Sequence, residues 1–302
     1  MRLLTVHHET HYRYQDAVQN AYHLAFLRPS DGPYQTVLQQ SLQVMPTPNV
    51  QHLGRDSFGN LRDFFALHSP HDVLTITASS LVQCRGPDPR LGDGEALAWK
   101  TVQERLEYAA GRPGLAATEF AFASPMAPGL DEVRDYALEI FQQEPGLAAA
   151  CLRLCQRIHR EFRYAPQATE IDTPVQEAFR RREGVCQDFA HIMVVALRGL
   201  GLSARYVSGY LLTHPPPGQP RRRGADASHA WVSVYCPGAP GDWIEFDPTN
   251  GIVAGDEHVR LAYGRDFGDV SPFRGVIRGG GDHTLQVSVT VSEPGAGSLD
   301  GS

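Results

Sequence analysis

One cysteine opens the stretch of this chain with the clearest chemical potential, Gly184-Val185-Cys186-Gln187-Asp188-Phe189-Ala190-His191. From Phe189 to Leu200 the apolar residues fall at helical spacing, Phe189, Ile192/Met193, Ala196/Leu197 and Leu200, and Gly199 and Gly201 supply the stop. Cys186 therefore stands at the first turn of a predicted helix, with Gly184 allowing a tight approach. A helix N-terminus carries about half a positive charge and several unpaired N–H groups. It favours the thiolate, which is the nucleophilic form. The same N–H groups, helped by Gln187, can hold an oxyanion. A buried structural cysteine would share this local pattern, so the chemistry needs a base from elsewhere in the chain.

Two later stretches offer one. Ser228-His229-Ala230-Trp231-Val232-Ser233-Val234-Tyr235 and Trp243-Ile244-Glu245-Phe246-Asp247 both read as strands, joined as a hairpin across Pro237–Gly241. Alternation puts His229, Trp231, Ser233 and Tyr235 on one face, and Trp243, Glu245 and Asp247 on one face of the second strand. The apolar sets Ala230/Val232/Val234 and Ile244/Phe246 then lie together on the other side. With Tyr235 opposite Gly241, His229 faces Asp247; a slip of two residues makes them diagonal. Either register brings their Cβ atoms within roughly 5 to 8 Å. An imidazole beside a carboxylate is a base with its orienter: the Asp accepts one ring N–H and leaves the other nitrogen for Cys186. A surface His–Asp pair is the plainer alternative. The chain order Cys, His, Asp is also that of papain-like enzymes.

The motifs at 184–191, Ala204-Arg205-Tyr206-Val207-Ser208-Gly209-Tyr210, Ser228-His229-Ala230-Trp231-Val232 and Phe246-Asp247-Pro248-Thr249-Asn250-Gly251 resemble the transglutaminase-like superfamily. The chain is most similar to its bacterial branch, named for cysteine proteases, which carries an extra N-terminal β domain. Asp56-Ser57-Phe58-Gly59-Asn60, the 264–272 segment Gly-Arg-Asp-Phe-Gly-Asp-Val-Ser-Pro and a final strand fit that branch too. The resemblance covers nearly the whole chain. It implies a papain-like α+β core with Cys186 as nucleophile, His229 as base and Asp247 as orienter. It also implies acyl transfer on peptide or amide bonds through a Cys thioester. Hydrolysis is favoured, since water needs no second site; transfer to an amine and a non-catalytic peptide-binding scaffold are the alternatives. Ser233 departs from the branch, which usually has Glu there, and it would alter the mouth of the site. The substrate-groove or oxyanion candidates are Gln187, Trp231, Trp243 and Tyr206, with core packing an equal alternative for the two tryptophans. Asp188 and His191 are either partners of the site or polar groups of the helix face.

Around this centre the elements order themselves. Residues 1–85 read as an N-terminal antiparallel, β-sandwich-like domain, with strands over Leu4–Tyr14, Ala21–Leu27, Thr36–Val44, Leu61–Leu67 and Val73–Cys84 between turn-rich segments. Residues 86–128 form a Pro/Gly/Ala-rich surface connector with a short helix near Ala96–Tyr108. Residues 129–292 form the core with its C-terminal strand. They hold helices over Asp131–Gln143, Gly146–Phe162 and Pro174–Arg182, then the cysteine helix and strands, with Leu285–Val291 last. Residues 293–302 form a disordered, Gly/Ser-rich tail. Strands followed by helices make an α+β signature.

Bulk properties exclude several classes. The chain has 302 residues, 42% of them hydrophobic, enough for a full core and two domains. The net charge is −7, and the basic run Arg221-Arg222-Arg223 is expected at a solvated loop tip, so nucleic acid is not an expected partner. No signal peptide and no apolar window of the ~18 residues a membrane helix needs can be found. Five sparse cysteines suit reduced thiols and a cytoplasmic setting, with Cys151 and Cys155 as core packing. No metal or cofactor is expected. His7, His8 and His11 lie on a predicted strand that splits them between faces, and no Asp-rich loop resembles a calcium site. Asp266 and Asp269 are capping or binding residues. The expected partner is a peptide or protein substrate.

Overall fold

Strict in–out alternation builds the longest element, β1 (Arg2–Ala25), a strand of 24 residues where the pattern predicts two. No Gly or Pro lies between Tyr14 and Ala21. The chain therefore bulges instead of turning, with a register shift between Arg13 and Val18. The structure is a computed structural model and describes residues 1–86, 97–107, 115–214 and 228–294.

β1 organises the first sheet. On one edge it pairs β4 (Leu61–Leu67) and then β5 (His71–Cys84), running collinearly. Outside these lie β3 (Val50–Arg55) and β2 (Gln35–Met45). On its other edge it pairs β13 (Phe273–Gly279) and β14 (His283–Ser292). The final strand, grouped with the core in the sequence reading, thus belongs by hydrogen bonding to the N-terminal sheet. Seven antiparallel strands curl about a small apolar interior that includes Val18, Phe65, Leu74 and Ile76. His7 and His11 face outward to Ser79 and Thr75, while His8 points inward to Tyr210 and Thr10, so alternation separates the three imidazoles.

The second sheet has the order β11-β10-β9-β8-β12, all antiparallel: β8 (Ala204–Leu211), β9 (Ser228–Tyr235), β10 (Trp243–Asp247), β11 (Ile252–Val253) and β12 (His258–Gly264). Helices α3 (Leu147–Glu161) and α5 (Cys186–Gly199) pack against it, α5 directly on β8 and β9, and α2 (Asp131–Gln143) and α4 (Val175–Arg181) pack on α5. Residues 188–198 of α5 are all buried, the mark of a helix at the centre of a domain. The apolar sets of β9 and β10 do share the helix side, in one core with α5. The segment read as a surface connector packs more deeply than expected. Its helix α1 (Trp99–Leu106) buries Trp99, Val102 and Leu106 at helical spacing, and the turn Ala116–Ala121 buries Phe120. Ala96, Tyr108, the arginine run 221–223 and the tail 295–302 lie outside the described residues.

The two sheets meet at an apolar seam. Leu4, Val6, Val82, Val289 and Val291 from the first sheet touch Tyr210, Leu212, Val259 and Leu261 from the second. The start of β2 and the residue before it add polar contacts: Gln35 both donates to and accepts from the Arg260 backbone, and Tyr34 donates to the Trp243 carbonyl. Among the described residues no helix is long and apolar enough to cross a membrane.

Candidate active site

The start of α5 is built by Asp188. Its Oδ2 accepts the Val185 N–H at 2.8 Å and the Thr169 hydroxyl at 2.7 Å, capping the helix from its own first turn. Gly184 makes room for this. A Cβ there would lie 2.5 Å from that same oxygen, so the glycine serves close approach, not an unusual backbone angle. Cys186 is the first residue of the helix and is partly exposed, whereas the other four cysteines are buried. Burial pushes the Cys84 and Cys236 thiols up to about 12 and those of Cys151 and Cys155 upward as well. Cys186 is therefore the thiol presented to solvent.

His229 arrives from the second position of β9. The observed register pairs Trp243 with Tyr235 and Phe246 with Val232, so His229 and Asp247 are diagonal neighbours, the slipped alternative of the two considered. His229 Nε2 lies 2.8 Å from Asp247 Oδ2. With Nε2 taken by Asp247, Nδ1 is the ring nitrogen left for Cys186, whose charge also acts on this imidazole. Burial alone would depress the imidazolium. The hydrogen bonds and negative charges of Asp247 and Cys186 outweigh it and raise the group to about 10.

Asp247 is fully buried, and burial opposes its ionisation, yet donors hold its pKa far below the carboxylate range. Oδ1 accepts the N–H groups of Thr249 and Asn250. Oδ2 accepts the Asn250 side-chain amide at 2.6 Å, His229 Nε2, and Nε2 of a second imidazole, His258, at 3.1 Å. His258 is absent from the sequence reading. It comes from β12, whose buried run from His258 onward is the signal that marks a strand there.

His229, Asp247 and His258 together could suggest a metal site, since their ligand atoms lie within 4.8 Å of one another. Their chemistry does not fit one. Both Nε2 atoms stand at hydrogen-bonding distance from a single carboxylate oxygen, and His258 Nδ1 accepts the Gly255 N–H at 3.2 Å, which puts the proton on Nε2. A metal would need lone pairs where this network has protons.

Other predicted site residues fall differently. Gln187 is next to Cys186, but its Nε2 donates to the Ile171 carbonyl at 2.9 Å and so is engaged away from an oxyanion. Trp231 is fully buried and walls no groove. It lies beneath the histidines, its ring 5.9 Å from His229 and 5.2 Å from His258, with Nε1 donating to Glu245. Trp243 sits at the far end of β10, stacked on the Arg205 guanidinium at 3.6 Å. Tyr206 is buried under the cysteine, against His191, where burial and the charge of Cys186 push its phenol well up. Ser233 is not at the mouth of the site. It is fully buried, accepts from Arg205 and stands across the strand from Glu245, which pairs with Arg260. Tyr164, not singled out from sequence, is exposed beside Gly184 in a two-residue parallel pairing, and its phenol is raised by burial and by the charge of Cys186. His191 accepts the Phe267 N–H, Asp266 caps α6 (Phe267–Val270) and Asp269 pairs with Arg265, all structural roles.

A partly exposed thiol at a helix start, near an imidazole held by a buried carboxylate, suits thiol-dependent catalysis, and comparison with known proteins supports that general class of chemistry. Residues 4–83 match the bacterial transglutaminase-like N-terminal region and residues 134–248 the transglutaminase-like superfamily. This chain belongs to that superfamily. It is 40% identical to the Mycobacterium tuberculosis protein Rv2569c over 291 residues, 95% of this chain and 91% of that one. It is 28% identical to the Mycobacterium leprae protein ML0607 over 96% of this chain and 98% of that one. A protein-glutamine gamma-glutamyltransferase of Pseudomonas aeruginosa is 33% identical over 125 residues, 40% of this chain and 18% of that one. Among solved structures, that of "a Putative Cysteine Protease from Cytophaga hutchinsonii" superposes with a TM-score of 0.73 at 20% identity, covering 99% of this chain and 91% of that one, and shares the fold.

Proposed function

We propose that this protein hydrolyses amide bonds in peptides or proteins through a thioester on Cys186. The observation that carries the reading is His229 held through Nε2 by buried, ionised Asp247, with the partly exposed Cys186 thiol at a helix start acting on the same imidazole. That carboxylate stabilises the imidazolium, and the imidazolium with the helix start stabilises the thiolate. Cys186 Sγ attacks the carbonyl carbon, forming the C–S bond. The oxyanion is held by N–H groups at the start of α5. His229 gives its Nδ1 proton to the departing amine as the C–N bond breaks. In the second half His229 takes a proton from water, whose oxygen attacks the thioester and releases the acid and the thiolate.

The partial likeness to a protein-glutamine gamma-glutamyltransferase supports an amine as the alternative acceptor. Mass spectrometry of a peptide library incubated with the protein, with and without putrescine, separates the two. Hydrolysis yields cleaved or deamidated peptides without amine, and Cys186→Ala abolishes them. Mass gain on glutamine peptides only with putrescine would replace hydrolysis by transfer. Undiminished turnover by Cys186→Ala would eliminate the thioester altogether.

A further inference from the structure

The Cys186–His229–Asp247 arrangement leaves one participant unexplained. His258 is buried on β12, beyond β8 and two strands from the β9 that carries His229, and it reaches Asp247 Oδ2, the very oxygen that receives His229. Its tautomer is set by the backbone. The Gly255 N–H points at Nδ1, so the ring proton sits on Nε2 and donates to the carboxylate. The turn after β10 already supplies Asp247 with three donors, but all come from Thr249 and Asn250 in its own chain segment. His258 alone ties the carboxylate to the opposite part of the sheet. Trp231 packs edge-on against it at 5.2 Å, and Trp231 is itself fixed by Glu245.

We propose that His258 is a positioning residue: its Nε2–H holds Asp247 Oδ2 where that oxygen receives His229, making the site a Cys–His–Asp–His relay. The inference rests on the thiol-dependent reading above and extends it. A buried carboxylate accepting several hydrogen bonds is ionised and immobile only while its donors persist. Losing a donor to a charged group weakens the imidazolium that the carboxylate supports, and with it the thiolate. The other charged or titratable groups around the site are Tyr164, Tyr206 and Asp188 about Cys186, Cys155 of α3 near Asp247, and the Glu245–Arg260 pair beyond Trp231, whose charges cancel.

The test reads Cys186 directly and needs no substrate. Iodoacetamide alkylation of Cys186, followed by mass spectrometry from pH 4 to 9, gives the pH at which the thiolate forms. In His258→Phe that midpoint is expected to rise by about one pH unit, with alkylation about tenfold slower on the acid side, the size of one lost hydrogen bond to a charged group. His258→Gln, which keeps an N–H near the Nε2 position, is expected to return the profile toward wild type. A His258→Phe profile that superimposes on wild type, or a folded His258→Gln shifted as far as His258→Phe, overturns the proposal. Nitrogen-15 NMR of histidine-labelled wild-type protein provides a readout that no folding defect can obscure. His258 with its proton on Nε2 is expected, and a proton on Nδ1 overturns the proposal. If wild-type Cys186 alkylates no faster than a buried thiol, the thiol-dependent reading itself fails, which is a different outcome from an unshifted variant.

Discussion

A carboxylate with no exposure to water stays ionised only if donors replace that water, and Asp247 has five. Each is an N–H pointing inward, so the residue must be acceptor-only. Asp247→Asn introduces an NH₂ group that can form no hydrogen bond with any of them. The expected response is a flipped His229 tautomer that no longer offers a basic Nδ1 to Cys186. Peptide turnover should fall by roughly 10²- to 10⁴-fold, by analogy with the equivalent change in serine proteases. Steady-state kinetics with circular dichroism as the folding control checks this, and activity within threefold of wild type would exclude Asp247 as orienter. At this scale sequence reasoning reaches Cys186, His229 and Asp247, because helix starts and strand alternation are local patterns. It does not reach His258 or Tyr164, which only the β8–β12 and β6–β7 pairings (β6 Arg163–Tyr164, β7 Glu183–Gly184) bring to the site. It leaves Trp231 open between groove wall and core, because alternation gives a shared face without saying which part of that face is covered; the residue is buried. On that face Glu245 takes the Trp231 N–H and pairs with Arg260, and Arg205 donates to Ser233.

The start of α5 shows how an element, not a residue, aims the thiol. Gly184, Val185 and Asp188 form one unit: the carboxylate occupies the space a Cβ would need and holds the helix's capping N–H. Gly→Ala is usually stabilising where the backbone permits it, by restricting the unfolded chain. Gly184 has an ordinary backbone conformation, so a loss in Gly184→Ala isolates the clash with Asp188. The expected cost is about 1–3 kcal/mol of stability, with Cys186 alkylation slowed because the first turn shifts relative to His229. In an Asp188→Gly background, which removes the Cβ that would stand 2.8 Å away as well as the carboxylate, the same substitution should cost little further, a coupling that a double-mutant cycle by thermal melts measures directly. Additive costs would show that Gly184 acts through something other than Asp188. The elements themselves were largely legible: the helix ends and the β9–β10 pair fall close to their expected places. β3, β12 and β13 were missed, since β3 and β13 are largely exposed and β12 is almost wholly buried, so none of them shows in–out alternation.

Across the whole molecule, three buried histidines tie stability to pH at three separate places. His8 joins the first sheet to Tyr210 of the second, His23 lies inside the curled sheet between Phe65 and Phe273, and His191 sits under the cysteine helix. Burial is the main cause that lowers each to about 4; the charges of His7, His71 and Arg198 add respectively, and Asp266 opposes at His191. Their ordinary value is 6.5, so below it the unfolded chain binds more protons than the folded one. Stability from these groups is complete above pH 6.5 and is lost as pH falls through 4, by on the order of 2 kcal/mol per histidine at pH 5. His229 runs the other way: raised to about 10, its contribution is complete below 6.5 and fades as pH climbs to 10. The melting temperature should therefore peak near neutrality and fall steeply on the acid side. His23 offers the clean test, because neither ring nitrogen has a partner among the described residues. His23→Leu removes two unsatisfied polar atoms from an apolar interior and should raise stability by about 1 kcal/mol at pH 7. The gain should widen by on the order of 2 kcal/mol at pH 5, where the wild-type chain alone must keep that ring uncharged. Calorimetry at both pH values decides it. An equal gain at both would mean that His23 takes no part in acid sensitivity, and a loss at pH 7 would mean that its aromatic contacts outweigh its unmet hydrogen bonds.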